Sequence, residues 1–162
     1  MGKFMPPHAG HVALCRAAQA MVDELTILVC SLPDDPIDGS QRVAWMREIF
    51  PKARVHWLER DVPQEPKDAP DFWPIWRAIV RESHSEPIDY VFAGEAYGER
   101  LAAEVGGAFV PFLREESGLF ADLSATKVRA DLSTHWPHLP TPVRKSLVKT
   151  VALHGVESVG KS

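Results

Sequence analysis

Short apolar runs alternate along the chain with longer segments of helical periodicity. The runs cover residues 25–30, 55–58, 90–93, 108–110 and 151–153. Continuous apolar runs of this length, rich in β-branched residues, are typical of strands buried on both faces. The alternation therefore predicts an α/β fold in which crossover helices join the strands of a doubly wound parallel sheet.

The sequence predicts four helices, one before the first run and three between later runs: residues 12–22, 42–50, 72–81 and 97–105. The second can be capped by Asp38-Gly39-Ser40 and must end before Pro51. Residues 61–74 hold four prolines and several acids, which predicts an ordered surface excursion. Residues 2–11 belong at the carboxyl end of a strand, where such sheets bind ligands. Only Met1 precedes them, so we expect the first strand to be truncated.

Composition narrows the class of partner. The 162 residues include 18 basic and 22 acidic side chains, a net charge of −4, which gives no general field for a nucleic-acid backbone. Cys15 and Cys30 lie in apolar surroundings without metal-type spacing, which favours reduced thiols in a cytoplasmic protein. No signal pattern and no apolar run near the roughly 20 residues of a membrane span is present, so no membrane partner is expected.

The stretch GKFMPPHAGH, residues 2–11, is the first candidate site. His8 and His11 lie three positions apart, on one side of a helical turn. Gly10 would let a phosphate approach the backbone, the helix amino end favours an anion, and Lys3 adds a cation. Taken alone, the two histidines could equally have a structural role. Together with Gly10, Lys3 and the helix amino end, they predict a binding site for a nucleoside triphosphate.

A second candidate site is LSATKVR, residues 123–129. Ser124 and Thr126 can cap the following helix, which needs no ligand. Alternatively, their hydroxyls and the Arg129 guanidinium bind phosphate oxygens at that helix amino end.

The two stretches resemble the GxFxPxHxGH and (I/L)SxTxxR signatures of the nucleotidyltransferase superfamily, in the same order and roughly 110 residues apart. More narrowly, QRVAWMREIFP from Gln41, FWPIWR from Phe72, GEAYGERLA from Gly94 and VKTVALHGVESVGKS from Val148 are similar to the NadR-type family. Its members join a nicotinamide mononucleotide adenylyltransferase to a ribosylnicotinamide kinase. The resemblance implies a Rossmann-like fold of the HxGH type.

The resemblance also implies the chemistry. In the family, the 5′-phosphate of nicotinamide mononucleotide attacks the α-phosphate of ATP, giving NAD and pyrophosphate, with Mg²⁺ accompanying ATP. Carried over, the catalytic residues are Lys3, His8, His11 and Arg129, and further ATP contacts come from Gly2, Phe4, Gly10, Ser124 and Thr126. No metal bound by the protein itself is expected, and a homo-oligomer is left open.

Substrate contacts are assigned to the middle of the chain. Trp73 and Trp76 lie three apart, and either could pack in the core or stack on a cationic nicotinamide ring. Arg42 is a substrate candidate from the family match. Glu95 and Tyr97 follow a predicted strand at its carboxyl end. The chain departs from the family at residues 114–120, where Glu115 and Gly118 stand in place of an Asp-x-x-Arg pattern and Arg114 is the available substitute.

The tail fits a P-loop, GxxxxGK[ST], through Gly155, Gly160, Lys161 and Ser162. The residues that would form the following helix do not appear, so residues 148–162 are interpreted as a remnant of a kinase domain, without kinase activity, after an adenylyltransferase domain of residues 1–147. Two alternatives remain: another HxGH transferase with a phosphopantetheine or phospho-alcohol acceptor, and a module that senses NAD without turnover.

Overall fold

In the computed structural model, the described residues are 1–112, 120 and 122–148. Within them, four α-helices and four strands alternate as the apolar pattern predicts, and three further α-helices follow the last strand. The strands are β1 (Thr26–Ser31), β2 (Arg54–Glu59), β3 (Tyr90–Ala93) and β4 (Ala108–Pro111). The helices are α1 (Ala9–Gln19), α2 (Gly39–Ile49), α3 (Phe72–Ser83), α4 (Tyr97–Val105), α5 (Ala125–Ala130), α6 (Leu132–His135) and α7 (Thr141–Leu147).

The strands pair in parallel, but they form two separate ribbons. β1 pairs with β2, with Thr26 opposite Arg54, and β3 pairs with β4, with Tyr90 opposite Ala108. Gly2 adds a single parallel bridge to Val29 on the free edge of β1. Parallel pairing and crossover helices agree with the prediction, whereas one continuous sheet does not form among the described residues.

Helices cover both faces of the β1–β2 ribbon. On one face, α1 and α2 pack against the strands through Cys15, Val43 and Met46, which meet Ile27 and Val55. On the other face, α3 packs through Phe72, Trp76 and Ile79 against Leu28 and Leu58. Burial on both faces explains why these strands read as continuous apolar runs.

The last helices form a separate layer against α2. Trp45 packs with Leu123, Val128, Leu139 and Val143, and its indole N–H donates to the Ser146 hydroxyl at 2.9 Å. These contacts hold the segment that contains the second candidate motif against the first half of the chain.

Two helices begin earlier than the sequence predicts. The first begins at Ala9 rather than residue 12, because the His8 side chain caps it, and it ends at Gln19. The second begins at Gly39 rather than residue 42, because the Asp38 side chain caps it. Residues 61–74 form the expected excursion, with a short 3₁₀ turn at Pro66–Asp68, and the Trp76 indole N–H holds it by donating to the Pro63 carbonyl at 2.9 Å. None of the helices in the described ranges is long and apolar enough to cross a membrane.

Candidate active site

The two histidines of the opening stretch cap α1 together. The His11 Nδ1 accepts from the His8 backbone N–H at 3.3 Å, and the His8 Nδ1 accepts from the Gly10 N–H at 3.2 Å. Their rings lie 3.8 Å apart between centroids, and His8 is only 1% exposed. The pair is therefore a reciprocal capping arrangement at the amino end of the first helix.

This capping fixes the tautomers of both rings. A ring nitrogen that accepts a backbone N–H bears no proton, so each neutral imidazole carries its proton on Nε2. The Phe4 ring packs edge-on against His11, with 5.0 Å between centroids, and limits its rotation. In the neutral form, both histidines thus carry their ring proton on the nitrogen that the capping bonds do not use.

Glycine backbones in the loop serve the fold in ways that the sequence did not indicate. The Gly2 N–H donates to the Leu28 carbonyl, and its carbonyl accepts from Cys30 N–H, so Gly2 anchors the loop to β1. The Gly10 N–H is taken by His8. A Cβ at Gly10 would come within 3.1 Å of the His8 ring, so the residue permits close packing against the imidazole. The direct phosphate contacts of Gly2 and Gly10 stay predictions.

Lys3 sits beside an acidic partner on the next loop. Its ammonium lies 3.5 Å from Asp35 Oδ1, and its side chain is 40% exposed. Burial alone would raise the pKa of Asp35, but hydrogen bonds from the Leu32 N–H and the Arg42 guanidinium, with the charge of Lys3, lower it below the ordinary value. Asp35 is thus a fixed anion that holds a mobile, half-exposed cation at the loop.

Arg42, predicted as a substrate contact, lies beneath the opening loop, and a role in substrate binding stays a prediction. Its side chain is fully buried, and it donates to the Asp35 carboxylate at 2.8 Å and to the Lys3 carbonyl at 2.9 Å. It also reaches the carbonyls of Cys30 and Asp38. With its N–H groups occupied in this way, Arg42 joins the opening loop, the end of β1 and the start of α2.

The second motif meets the first. Arg129 Nη1 donates to the carbonyl of Met5, and Nη2 lies 3.4 Å from the Thr126 hydroxyl. Ser124 caps α5 by accepting from the Lys127 N–H at 3.2 Å, the ligand-free role weighed from sequence. Two stretches far apart in sequence thus lie side by side, with the exposed Arg129 guanidinium at the loop of His8 and His11.

The two tryptophans divide between surface and core. Trp76 is 5% exposed and packs with Phe72 under the excursion, which favours the core role, and its assignment as a substrate contact stays a prediction. Trp73 is half-buried, and the Arg100 guanidinium lies 5.8 Å from its ring centroid. Its indole remains the aromatic candidate for a nicotinamide ring.

Glu95 and Tyr97 are exposed at the carboxyl end of β3, as predicted. They line one cleft of about 810 Å³ together with Lys3, Phe4 and His11. The structure therefore brings these two residues toward the opening loop, while Trp73 belongs to the α3–α4 side of the molecule.

Some predicted features lie outside the described residues. They are the altered stretch with Arg114, Glu115 and Gly118, the strand at residues 151–153, and the P-loop residues Gly155, Gly160, Lys161 and Ser162. The division into domains at residue 147 also stays a prediction.

The sequence reading missed Asp35 and the carbonyl of Met5. Asp35 carried a usable signal, because it follows β1 at its carboxyl end, where sites form in parallel sheets. The Met5 carbonyl carried none, since any residue supplies a carbonyl and only the approach of α5 makes this one a partner.

No family model matches the chain. Among curated proteins it is 29% identical to the trifunctional NAD biosynthesis/regulator protein NadR of Salmonella typhimurium, over 99% of this chain and 43% of the relative. NadR of Escherichia coli matches at the same identity. The nicotinamide-nucleotide adenylyltransferase of Pyrobaculum neutrophilum is 29% identical over 96% of this chain and 88% of the relative.

Among solved structures, NadR in complex with NAD and AMP-PNP superposes with a TM-score of 0.65 at 22% identity, over 89% of this chain and 44% of that one. The chain spans less than half the length of the NadR relatives it matches. The resemblance found from the motifs is confirmed: this chain is similar over nearly its whole length to NadR proteins and archaeal nicotinamide-nucleotide adenylyltransferases, and it has the Rossmann-like fold of the NadR structure.

Proposed function

We propose that the chain is a nicotinamide mononucleotide adenylyltransferase, which transfers AMP from ATP to the mononucleotide and releases pyrophosphate. The observation that carries this proposal is the junction of the two motifs, where Arg129 donates to Met5 beside the capping pair His8 and His11. Cationic and N–H donor groups from distant parts of the chain then meet at one loop. The names of the curated relatives support the same reaction.

The reaction forms one bond and breaks another. An oxygen of the mononucleotide 5′-phosphate attacks the α-phosphorus of ATP, while the bond from that phosphorus to the bridging oxygen of the β-phosphate breaks. Charge accumulates on the transferred group and on the departing pyrophosphate. No covalent intermediate with the protein is required, so catalysis consists of positioning and electrostatic stabilisation.

The described residues can supply both positioning and electrostatic stabilisation. The Nε2–H groups of His8 and His11 donate to phosphate oxygens as charge grows, and the exposed guanidinium of Arg129 binds the triphosphate. Lys3 moves within reach of the phosphates while Asp35 keeps its ammonium at the loop. The rigid network under the loop holds these groups in place before ATP binds.

Mg²⁺ is proposed to enter with ATP. When bound, it would share the negative charge of the phosphates. Mg²⁺ keeps several waters and binds substrate phosphates readily, so it does not require a cage of protein ligands. In the part of the chain that the structure describes, no group of three or more His, Cys, Asp or Glu side chains is placed to hold a metal.

The test is formation of NAD from ATP, Mg²⁺ and nicotinamide mononucleotide, with nicotinic acid mononucleotide in a parallel reaction. His11→Ala should lower kcat by roughly 10²–10³, because it removes a donor that acts in the transition state. His11→Asn keeps an acceptor for the capping bond and should be as inactive but better folded. His56→Ala, on β2, is the matched control and should retain full turnover.

Two outcomes would contradict the proposal. Calorimetric binding of ATP and NAD without product would identify a sensing module. Adenylylation of phosphopantetheine in preference to either mononucleotide would identify another transferase of the same fold.

A further inference from the structure

Two basic side chains share the carboxylate of Asp35, and they bind it differently. Asp35 Oδ2 accepts from the Arg42 guanidinium at 2.8 Å and from the Leu32 N–H at 3.0 Å. Asp35 Oδ1 faces the Lys3 ammonium at the longer distance of 3.5 Å. The carboxylate therefore has one oxygen in short hydrogen bonds and one oxygen in a looser ion pair.

Burial separates the two ion pairs further. Arg42 has no exposed side-chain surface, whereas 40% of the Lys3 side chain is exposed. Breaking a buried pair is strongly unfavourable, whereas a solvent-exposed pair changes an equilibrium by no more than about fivefold. The Arg42 pair is thus a permanent part of the fold, and the Lys3 pair can be exchanged for another anion.

The charges of the three side chains favour such an exchange. Arg42 and Lys3 carry two positive charges and Asp35 carries one negative charge, which gives the group a net charge of +1. Because the buried guanidinium already balances the carboxylate, the ammonium of Lys3 is the surplus cation. An anion at the opening loop therefore competes with Asp35 for Lys3.

The backbone on both sides of Lys3 is fixed, so only its side chain has freedom to move. Gly2 is bonded to β1 through its N–H and its carbonyl, and the Lys3 carbonyl accepts from Arg42 at 2.9 Å. Phe4 is buried, has a left-handed backbone with φ of 48°, and packs against His11. A lysine carries a compact charge on a flexible stem, which suits an exchange between two anions.

We propose that Asp35 is a positioning residue that acts through Lys3: it holds the ammonium beside the opening loop before ATP binds and competes for it with the triphosphate. This inference rests on the proposed function, which names ATP as the anion. In the exchange, the ion pair of Lys3 with Asp35 is replaced by one with a phosphate oxygen, while the Arg42 pair stays in place. Asp35 therefore makes ATP binding weaker than Lys3 would make it without a competing anion.

The test is a double-mutant cycle of Asp35 and Lys3, read as the Kd for ATP in calorimetry with Mg²⁺ present. Asp35→Asn should tighten ATP binding about threefold to fivefold, because the ammonium loses its competing anion. In a Lys3→Met background, the same substitution should leave the Kd unchanged. Asp34→Asn is the matched control, because it removes an equal charge from the exposed neighbouring position, and it should change the Kd by less than about twofold.

Two results of this cycle would overturn the proposal. Weaker or unchanged ATP binding in Asp35→Asn would mean that Asp35 only supports the loop. Equal tightening with and without Lys3 would mean that Asp35 repels ATP directly, without acting through the ammonium.

A second measurement uses the wild-type protein, because Asp35→Asn also removes the charge that balances a buried arginine. In NMR spectra of the protein with isotopically labelled lysine, the Lys3 side-chain signal is assigned by its loss in Lys3→Arg. Saturating ATP should shift this signal and leave that of the exposed Lys52 in place. A Lys3 signal that ATP does not shift would overturn the proposal.

Formation of NAD is measured separately, which distinguishes this inference from the proposed function. If the wild type forms NAD but Asp35→Asn does not tighten ATP binding, only the role of Asp35 is wrong. If the cycle behaves as expected but no NAD forms, only the proposed reaction is wrong.

Discussion

Asp35 and Arg42 form a buried ion pair of 2.8 Å beneath the opening loop. Arg42 has no exposed side-chain surface, and Asp35 retains 7%. Around this pair, the guanidinium also bonds the carbonyl of Lys3, and the carboxylate attracts the Lys3 ammonium. The loop that carries the histidines is thus held from below by charges that do not face the proposed substrates.

Arg42→Met should destabilise the protein strongly. The substitution keeps an apolar stem of similar length but removes the guanidinium that donates to Asp35 and to the carbonyls of Lys3, Cys30 and Asp38. Removing one partner of a buried pair costs about 3–5 kcal/mol. Urea unfolding measures the loss, and Arg47→Met on the exposed side of the same helix is the control. A loss of less than about 1 kcal/mol in the free energy of unfolding would show that this network does not stabilise the loop.

Asp35 should make the protein acid-sensitive. Its pKa is lowered in the folded state, so its contribution is complete above the unfolded-state value and is lost as pH falls through the folded value. Unfolding free energies of wild type and Asp35→Asn, compared between pH 7 and pH 2, should converge toward the acid end. Parallel curves would show that the ionisation of Asp35 is not coupled to folding.

Arg129 should act on ATP binding and on turnover. Losing a charge-assisted contact costs about 1.5–3 kcal/mol, so Arg129→Ala should raise KM for ATP and lower kcat. Arg129→Lys should restore only part of the ATP affinity and of kcat, because an ammonium cannot replace the planar guanidinium that also donates to the Met5 carbonyl. Lys127→Ala, on the same helix, is the control. Full rescue by lysine would indicate that only the charge matters.

Trp73 and Trp76 should respond differently to truncation. Trp76→Ala removes a buried ring and should cost about 3–5 kcal/mol of stability, measured by urea unfolding. Trp73→Ala removes a half-buried ring and should mainly raise KM for the mononucleotide, with KM for ATP unchanged. Trp73→Phe should restore most of the affinity if ring stacking is responsible. A change in KM for ATP alone would place Trp73 outside the mononucleotide site.

The sequence by itself determined the α/β class and the order of the elements. β1 and β2 stand out as apolar runs because helices cover both faces of their ribbon, and each such signal lies within a few neighbouring residues. The sequence also identified His8, His11 and Arg129 as candidates, because each belongs to a short local motif and acts through its side chain.

The tertiary structure decided which of the candidate residues are buried and hold the loops in place, and which are accessible to a ligand. Arg42 and Trp76 lie at unremarkable helical positions, and only packing against the loop and the excursion closes them off from solvent. The meeting of Arg129 with Met5, and the separation of the sheet into two ribbons around a cleft, depend on how distant segments approach one another. Neither relationship has a local pattern, because backbone carbonyls and free strand edges are common to all residue types.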